Sequence, residues 1–126
     1  MAISRINVST PSNEVIFLDS ACGNSADGVK SSSALVYSIT VDNSANGSSV
    51  FVKLWNLTSG SVVIGTSAPD QIILVPGSSV VTQTYFTGAT PGVTFSTALS
   101  VACLTTGGTA GSTSPSSNVA VSINYV

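Results

Sequence analysis

Apolar and polar residues alternate in the middle of the chain, over residues 34–41 and again over residues 50–55. A period of two is typical of a β-strand, whose successive side chains point to opposite faces. Residues 42–48 between the runs are polar and include Asn46-Gly47, a pair that favours a turn. The pattern therefore predicts two strands joined as an antiparallel hairpin. The alternating apolar positions are Leu35, Tyr37, Ile39 and Val41, then Val50, Val52 and Leu54.

The rest of the chain also has the pattern of short strands separated by Gly, Pro and Ser turns. Residues 20–33 and 105–117 are polar and are predicted to be loops, the second of low complexity. No stretch has the apolar spacing of an amphipathic helix. This succession predicts an all-β fold, an antiparallel β-sandwich of immunoglobulin-like or jelly-roll type with eight to nine short strands. The further predicted strands are 3–9, 15–18, 62–64, 72–75, 78–86, 93–104 and 119–125.

A chain of 126 residues is expected to form one domain. We place a single β-sandwich domain at residues 13–126. Residues 1–12 form an N-terminal segment that ends near Pro11 and could extend from the domain as an arm.

Charged residues make up only 6 % of the chain, against about 25 % in an ordinary soluble domain. Such a surface has little charge repulsion to keep copies apart, which favours a protein that lives in an assembly or outside the cell. The three cations are scattered, so the sequence predicts neither nucleic-acid binding nor binding to an anionic membrane.

The N-terminal residues have no apolar segment of the kind found in secretory signals, and no run is long enough to span a membrane. A composition typical of secreted proteins thus occurs without a visible export signal. A virion protein that is assembled in the cytoplasm of a host and released by lysis reconciles these two features. The expected localisation is the virion.

The sequence predicts no enzyme, no catalytic residue and no cofactor. Histidine is absent, which removes the commonest general base. Glu14 and Asp19 bracket a strand and would lie about 16 Å apart if extended, too far for a glycosidase pair. The five acids are expected in turns, where Asp bonds its own backbone.

Metal binding is not predicted either. Cys22 and Cys103 are expected to be free, partly buried thiols, because the chain carries no export signal. No ligand spacing typical of a zinc site occurs. A calcium site at Asp19 and Asp27 is conceivable, but their spacing matches no calcium loop.

The candidate contact residues fall into two groups. Phe51 and Trp55 share one face of a strand with Lys53 between them, and a cation there suggests a face that is partly wet or at an interface. Core packing of these aromatics is the favoured alternative. The candidate contact segments are residues 1–11, 20–33 and 105–117. The second group of candidate residues lies in the first two of these segments and comprises Arg5, Ile6 and Lys30.

The second half of the chain resembles small β-sandwich virion proteins of tailed bacteriophages. The resemblance covers roughly residues 34–126 and rests on a succession of features rather than on one motif. These are residues 65–70, an apolar strand, Pro76-Gly77, residues 95–99, the loop rich in Gly, Thr and Ser, and the terminal strand 119–125.

This resemblance implies a structural role. The expected function is that of a capsid decoration (cement) subunit that bridges neighbouring major capsid proteins, commonly as a homotrimer. The alternatives are a small tail or neck subunit, or a carbohydrate-binding, adhesive module that uses Trp55 and Tyr37.

Overall fold

The computed structural model describes residues 3–7 and 13–126, and for Asn7 the backbone alone. It confirms the all-β, antiparallel sandwich. The described residues form twelve strands rather than eight or nine, together with a short 3-10 turn at Ser59–Ser61. The strands are β1 Ile3–Asn7, β2 Val15–Cys22, β3 Asp27–Lys30, β4 Ala34–Asp42, β5 Val50–Trp55, β6 Gln71–Val75, β7 Val80–Thr84, β8 Phe86–Thr87, β9 Thr90–Pro91, β10 Val93–Phe95, β11 Leu99–Leu104 and β12 Val119–Tyr125.

The strands form two packed sheets and a small ribbon. The large sheet has six strands in the order β1-β2-β12-β4-β10, and β7 pairs with β4 beside β10. The small sheet has the order β3-β11-β5-β6, and β8 pairs with β9. Because β1 pairs with β2 along its whole length, residues 3–7 belong to the large sheet rather than to a projecting arm. The rest of the predicted N-terminal segment, residues 1–2 and 8–12, lies outside the described residues.

The predicted hairpin between β4 and β5 is wrong, although both strands exist. β4 lies in the large sheet and β5 in the small sheet, and they face each other across the core. Both strands bury an apolar face, and packing these faces together covers more apolar area than pairing them edge to edge. Asn43 in the connection is buried, and its Nδ2 donates to the carbonyls of Val75 and Pro76 at 3.2 and 3.0 Å.

Three other predicted elements also differ from the structure. The predicted strand 93–104 is broken where the chain crosses from the large to the small sheet. At the break, Asn56 Oδ1 accepts hydrogen bonds from the backbone N–H of Thr97 and Ala98, at 2.7 and 3.3 Å. The polar stretch 20–33 is not one loop, since it holds the end of β2 and all of β3. Residues 62–64 are not a strand, and a turn begins at Ile64.

A second buried layer lies on the outer face of the small sheet. Residues 105–117 form the predicted loop, with no strand, and cover this face. Lys53 Nζ donates to the Ala110 carbonyl at 3.2 Å, and a Cβ on Gly107 would stand 2.9 Å from the Phe51 ring. Trp55 on the same face contacts a different segment, since its Nε1 donates to the Ser67 carbonyl at 2.9 Å. These contacts bury Lys53 and Trp55 on the outer face of β5, which lies beside the fully buried strand β11.

Candidate functional site

The structure brings Arg5 and Lys30 to one cleft of about 430 Å³, which is also lined by Ser31, Ser59 and Tyr125. The Arg5 guanidinium donates to the carbonyls of Gly28 and Val29 and lies 5.3 Å from the centre of the Phe17 ring. Much of its bonding capacity is therefore used within the chain. Ile6, next to Arg5, is exposed on the edge strand β1.

The other predicted contact group is mostly inaccessible. Lys53 is 0 % and Trp55 1 % exposed, so neither can touch a partner in this fold, while Phe51 is half-buried. Core packing, the alternative for these residues, is thus confirmed for Trp55. Burial lowers the pKa of the Lys53 ammonium. Because Tyr37 lies in the large sheet and Trp55 in the small one, the two do not form an aromatic platform for a sugar.

An open flank of the sandwich presents apolar side chains on two edge strands. β6 is an edge of the small sheet and β7 is an edge of the large sheet, and the turn at Pro76-Gly77 joins them. We call residues 71–84 the β6–β7 flank. Ile72 and Leu74 point outward from β6, and Leu74 is 54 % exposed. Val80 at the start of β7 and Phe86 just beyond the flank are also exposed.

The β6–β7 flank has no charged side chain. The chain has three cations and five acids, and none of them lies after Asp70. Monomeric proteins usually protect exposed strand edges with Lys, Pro, bulges or a covering segment. Neither β6 nor β7 contains Lys or Pro. Sequence reasoning missed this surface, although the absence of charge after Asp70 is visible in the sequence and could have indicated it.

A different cluster is buried between the two sheets, where the chain crosses from β2 to β3. Asp19, Cys22 and Asp27 each offer a ligand atom, and these atoms all lie within 4.8 Å of one another. We call these three residues the acid–thiol cluster. Asp19 is 1 % and Asp27 8 % exposed. The sequence-based expectation that the acids occupy turns is therefore wrong for these two, although Asp42 does accept the Ser44 N–H in a turn, at 2.9 Å.

A β-bulge in β2 places Cys22 on the same face as Asp19. Cys22 pairs with Val119 and Asp19 pairs with Val121, so three steps along β2 match two along β12. The Ala21 N–H, inside the bulge, donates to Asp19 Oδ1 at 3.0 Å. An alternating pattern would put residues 19 and 22 on opposite faces, which is why sequence spacing did not reveal the cluster.

The electrostatics of the cluster disfavour charge. Burial and then the neighbouring Asp19 raise the pKa of Asp27 to about 7. Burial and then the nearby Cys103 raise the pKa of the Cys22 thiol well above its usual value, and burial followed by Asp19 raises that of Cys103 to about 12. Both cysteines are free, as predicted, but fully rather than partly buried. The Oδ2 atoms of Asp19 and Asp27 are buried and have no hydrogen-bond partner among the described residues.

Comparison with known proteins gives no relative. No protein-family model matches the chain, and neither a curated protein nor a solved structure matches it. Within residues 3–7 and 13–126, no helix has the length and apolar character needed to cross a bilayer.

Proposed function

We propose that this protein is a non-enzymatic structural subunit that assembles through the β6–β7 flank. The observation that carries the proposal is the pair of uncharged edge strands with exposed Ile72, Leu74 and Val80. Exposed apolar side chains beside unprotected strand edges favour protein–protein contact or aggregation. A partner that covers the flank would bury these side chains and satisfy the open strand edges.

The specific form that we propose is a capsid decoration subunit of a tailed bacteriophage, bound to the major capsid protein on the outside of the virion and assembled in the host cytoplasm. Its support is the resemblance of residues 34–126 to such proteins, together with the uncharged flank. The same flank would serve a small tail or neck subunit. The carbohydrate-binding alternative loses its basis, because Trp55 is buried.

The flank offers a geometry for the proposed homotrimer. A closed ring of three copies needs two different complementary surfaces on each subunit. β6 and β7 provide two such edges on one side of the molecule. We propose that β6 of one copy meets β7 of the next by edge-to-edge strand pairing, in which main-chain hydrogen bonds give affinity and alternate side chains give specificity. Several such contacts on a shell would add through avidity.

Leu74→Lys tests the flank. The substitution places a charge in the proposed contact and is expected to dissociate the assembly, lowering the mass measured by light scattering to that of the 12.6 kDa monomer. Val63→Lys is the matched control, since Val63 is 58 % exposed and lies outside the flank; it should leave the mass unchanged. Equal masses for both variants and the wild type would contradict the role of the flank.

The shell assignment needs its own experiment. A decoration subunit is expected to co-sediment with assembled shells of its major capsid protein, and Leu74→Lys is expected to remain in the supernatant. Co-sedimentation with isolated tails but not with shells would favour the tail or neck alternative. Absence of binding to both particles would contradict a virion role while leaving the self-association test unaffected.

A further inference from the structure

We infer that the acid–thiol cluster is a binding site for a divalent cation of the zinc class. Its three residues come from the end of β2 and the start of β3, and their ligand atoms lie within 4.8 Å of one another inside the sandwich. Cys103 on β11 is a further buried thiol outside this set of three, and after burial itself its proximity contributes to the raised pKa of the Cys22 thiol.

The unpartnered carboxylate oxygens distinguish this cluster from ordinary core packing. Asp19 and Asp27 are both more than nine-tenths buried, and within residues 3–7 and 13–126 the Oδ2 atom of each has no hydrogen-bond partner. Buried polar atoms in proteins are normally hydrogen-bonded or bind a metal, and these two oxygens beside a thiol are the atoms that a metal ion would join. No described cation bonds to either acid, since Lys53 donates to Ala110 and Arg5 to Gly28 and Val29.

The donor set selects the class of ion. Calcium and magnesium take oxygen ligands, and a buried thiol is a poor donor for both. Zinc accepts thiolate at about 2.3 Å and carboxylate at about 2.0–2.2 Å, most often in a tetrahedron. Ligand atoms of such a tetrahedron are about 3.3–3.8 Å apart, so a spread of up to 4.8 Å needs a contraction of about 1–1.5 Å.

Ligation would tie the two sheets together. On binding, the Cys22 sulfur gives its proton to solvent and bonds the metal as thiolate, with no change of oxidation state. The ion would join β2 of the large sheet to β3 of the small sheet, at the point where the Cys103 N–H already donates to the Gly23 carbonyl at 2.9 Å. Since the site exists only in the folded chain, binding adds to the stability of the fold.

The test uses the full chain after removal of metals with a chelator. Addition of Co²⁺ as a spectroscopic probe is expected to give a thiolate-to-metal charge-transfer band that saturates at one ion per chain. One equivalent of Zn²⁺ should abolish this band and raise the melting temperature. The absence of a thiolate band in the wild type would overturn the inference, and this result needs no variant to fold.

Variants then assign the ligands. Cys22→Ser should remove the charge-transfer band, and Asp27→Asn should weaken Zn²⁺ binding by at least about tenfold. Asp42→Asn is the control, because Asp42 lies outside the cluster on the surface side of β4; its affinity should equal that of the wild type. Unchanged affinity in a folded Asp27→Asn protein would contradict the assignment. None of these outcomes depends on the assembly state, so they do not bear on the proposed flank.

Discussion

Lys53 shows how a single residue can be misjudged from its sequence neighbours. Its position between Phe51 and Trp55 suggested a wet face, yet the loop 105–117 covers it completely. In the described part of the chain, the ammonium bonds the Ala110 carbonyl and no carboxylate. A buried charge without an opposite charge is unfavourable, so Lys53 is expected to reduce the stability of the isolated subunit.

Replacing this cation should stabilise the protein. Lys53→Met keeps the length of the side chain and removes the buried charge, while the exposed Ala110 can bond water instead. We expect the free energy of unfolding at pH 7, measured with denaturant, to rise by about 1–2 kcal/mol. Lys30→Met, at a half-buried position, is the control and should change it by less than about 0.5 kcal/mol. A less stable Lys53→Met protein would contradict this account of the residue.

The pH dependence gives a second readout of the same substitution. Burial lowers the pKa of Lys53 in the folded chain below its usual 10.5. At pH values between this lowered pKa and 10.5, the unfolded chain binds more protons than the folded chain. As pH rises through this window, the free energy of unfolding of the wild type should therefore increase relative to that of Lys53→Met. The raised pKa values of Cys22 and Cys103 act in the opposite direction above pH 9, but they act equally in both proteins and cancel in the difference.

At the scale of elements, the sequence predicts which residues share a face better than which strands pair. Alternation grouped Val52 with Leu54 on β5 and Val121 with Ile123 on β12, and the structure places both groups in the core. It could not show that β4 and β5 lie in different sheets, because a polar connection has the same sequence pattern whether it joins two paired strands or leads from one sheet to the other. The β2 bulge and the cover over Trp55 were hidden for a related reason: both depend on residues distant in sequence.

The turn between β6 and β7 makes a close backbone contact that can be tested. A Cβ on Gly77 would stand 2.3 Å from the Gly47 carbonyl oxygen in the connection that joins the sheets. Backbone cannot yield as a flexible side chain can, so Gly77→Ala is expected to lower the free energy of unfolding by about 1–3 kcal/mol. Gly60→Ala is the matched control, since a Cβ there meets no atom within 4 Å. Denaturant unfolding of both variants measures the difference, and equal stabilities would show that this contact is unimportant.

For the whole molecule, the distribution of charge is the most informative property. All eight charged side chains lie in residues 5–70, and three of them, Asp19, Asp27 and Lys53, are buried. The low total was apparent from composition and favoured a protein that lives in an assembly or outside the cell. The location of the uncharged surface required the fold, because only the sheet order shows that β6 and β7 are open edges.

Amide hydrogen exchange of the wild-type protein at low and high concentration tests the central claim most directly. Because strand pairing buries main-chain N–H groups, assembly through the flank should slow exchange in β6 and β7 as concentration rises. Exchange in β3, the opposite edge of the small sheet, should not change. Exchange in β6 and β7 that is the same at every concentration, or protection that develops at β3 instead, would contradict assembly through this flank.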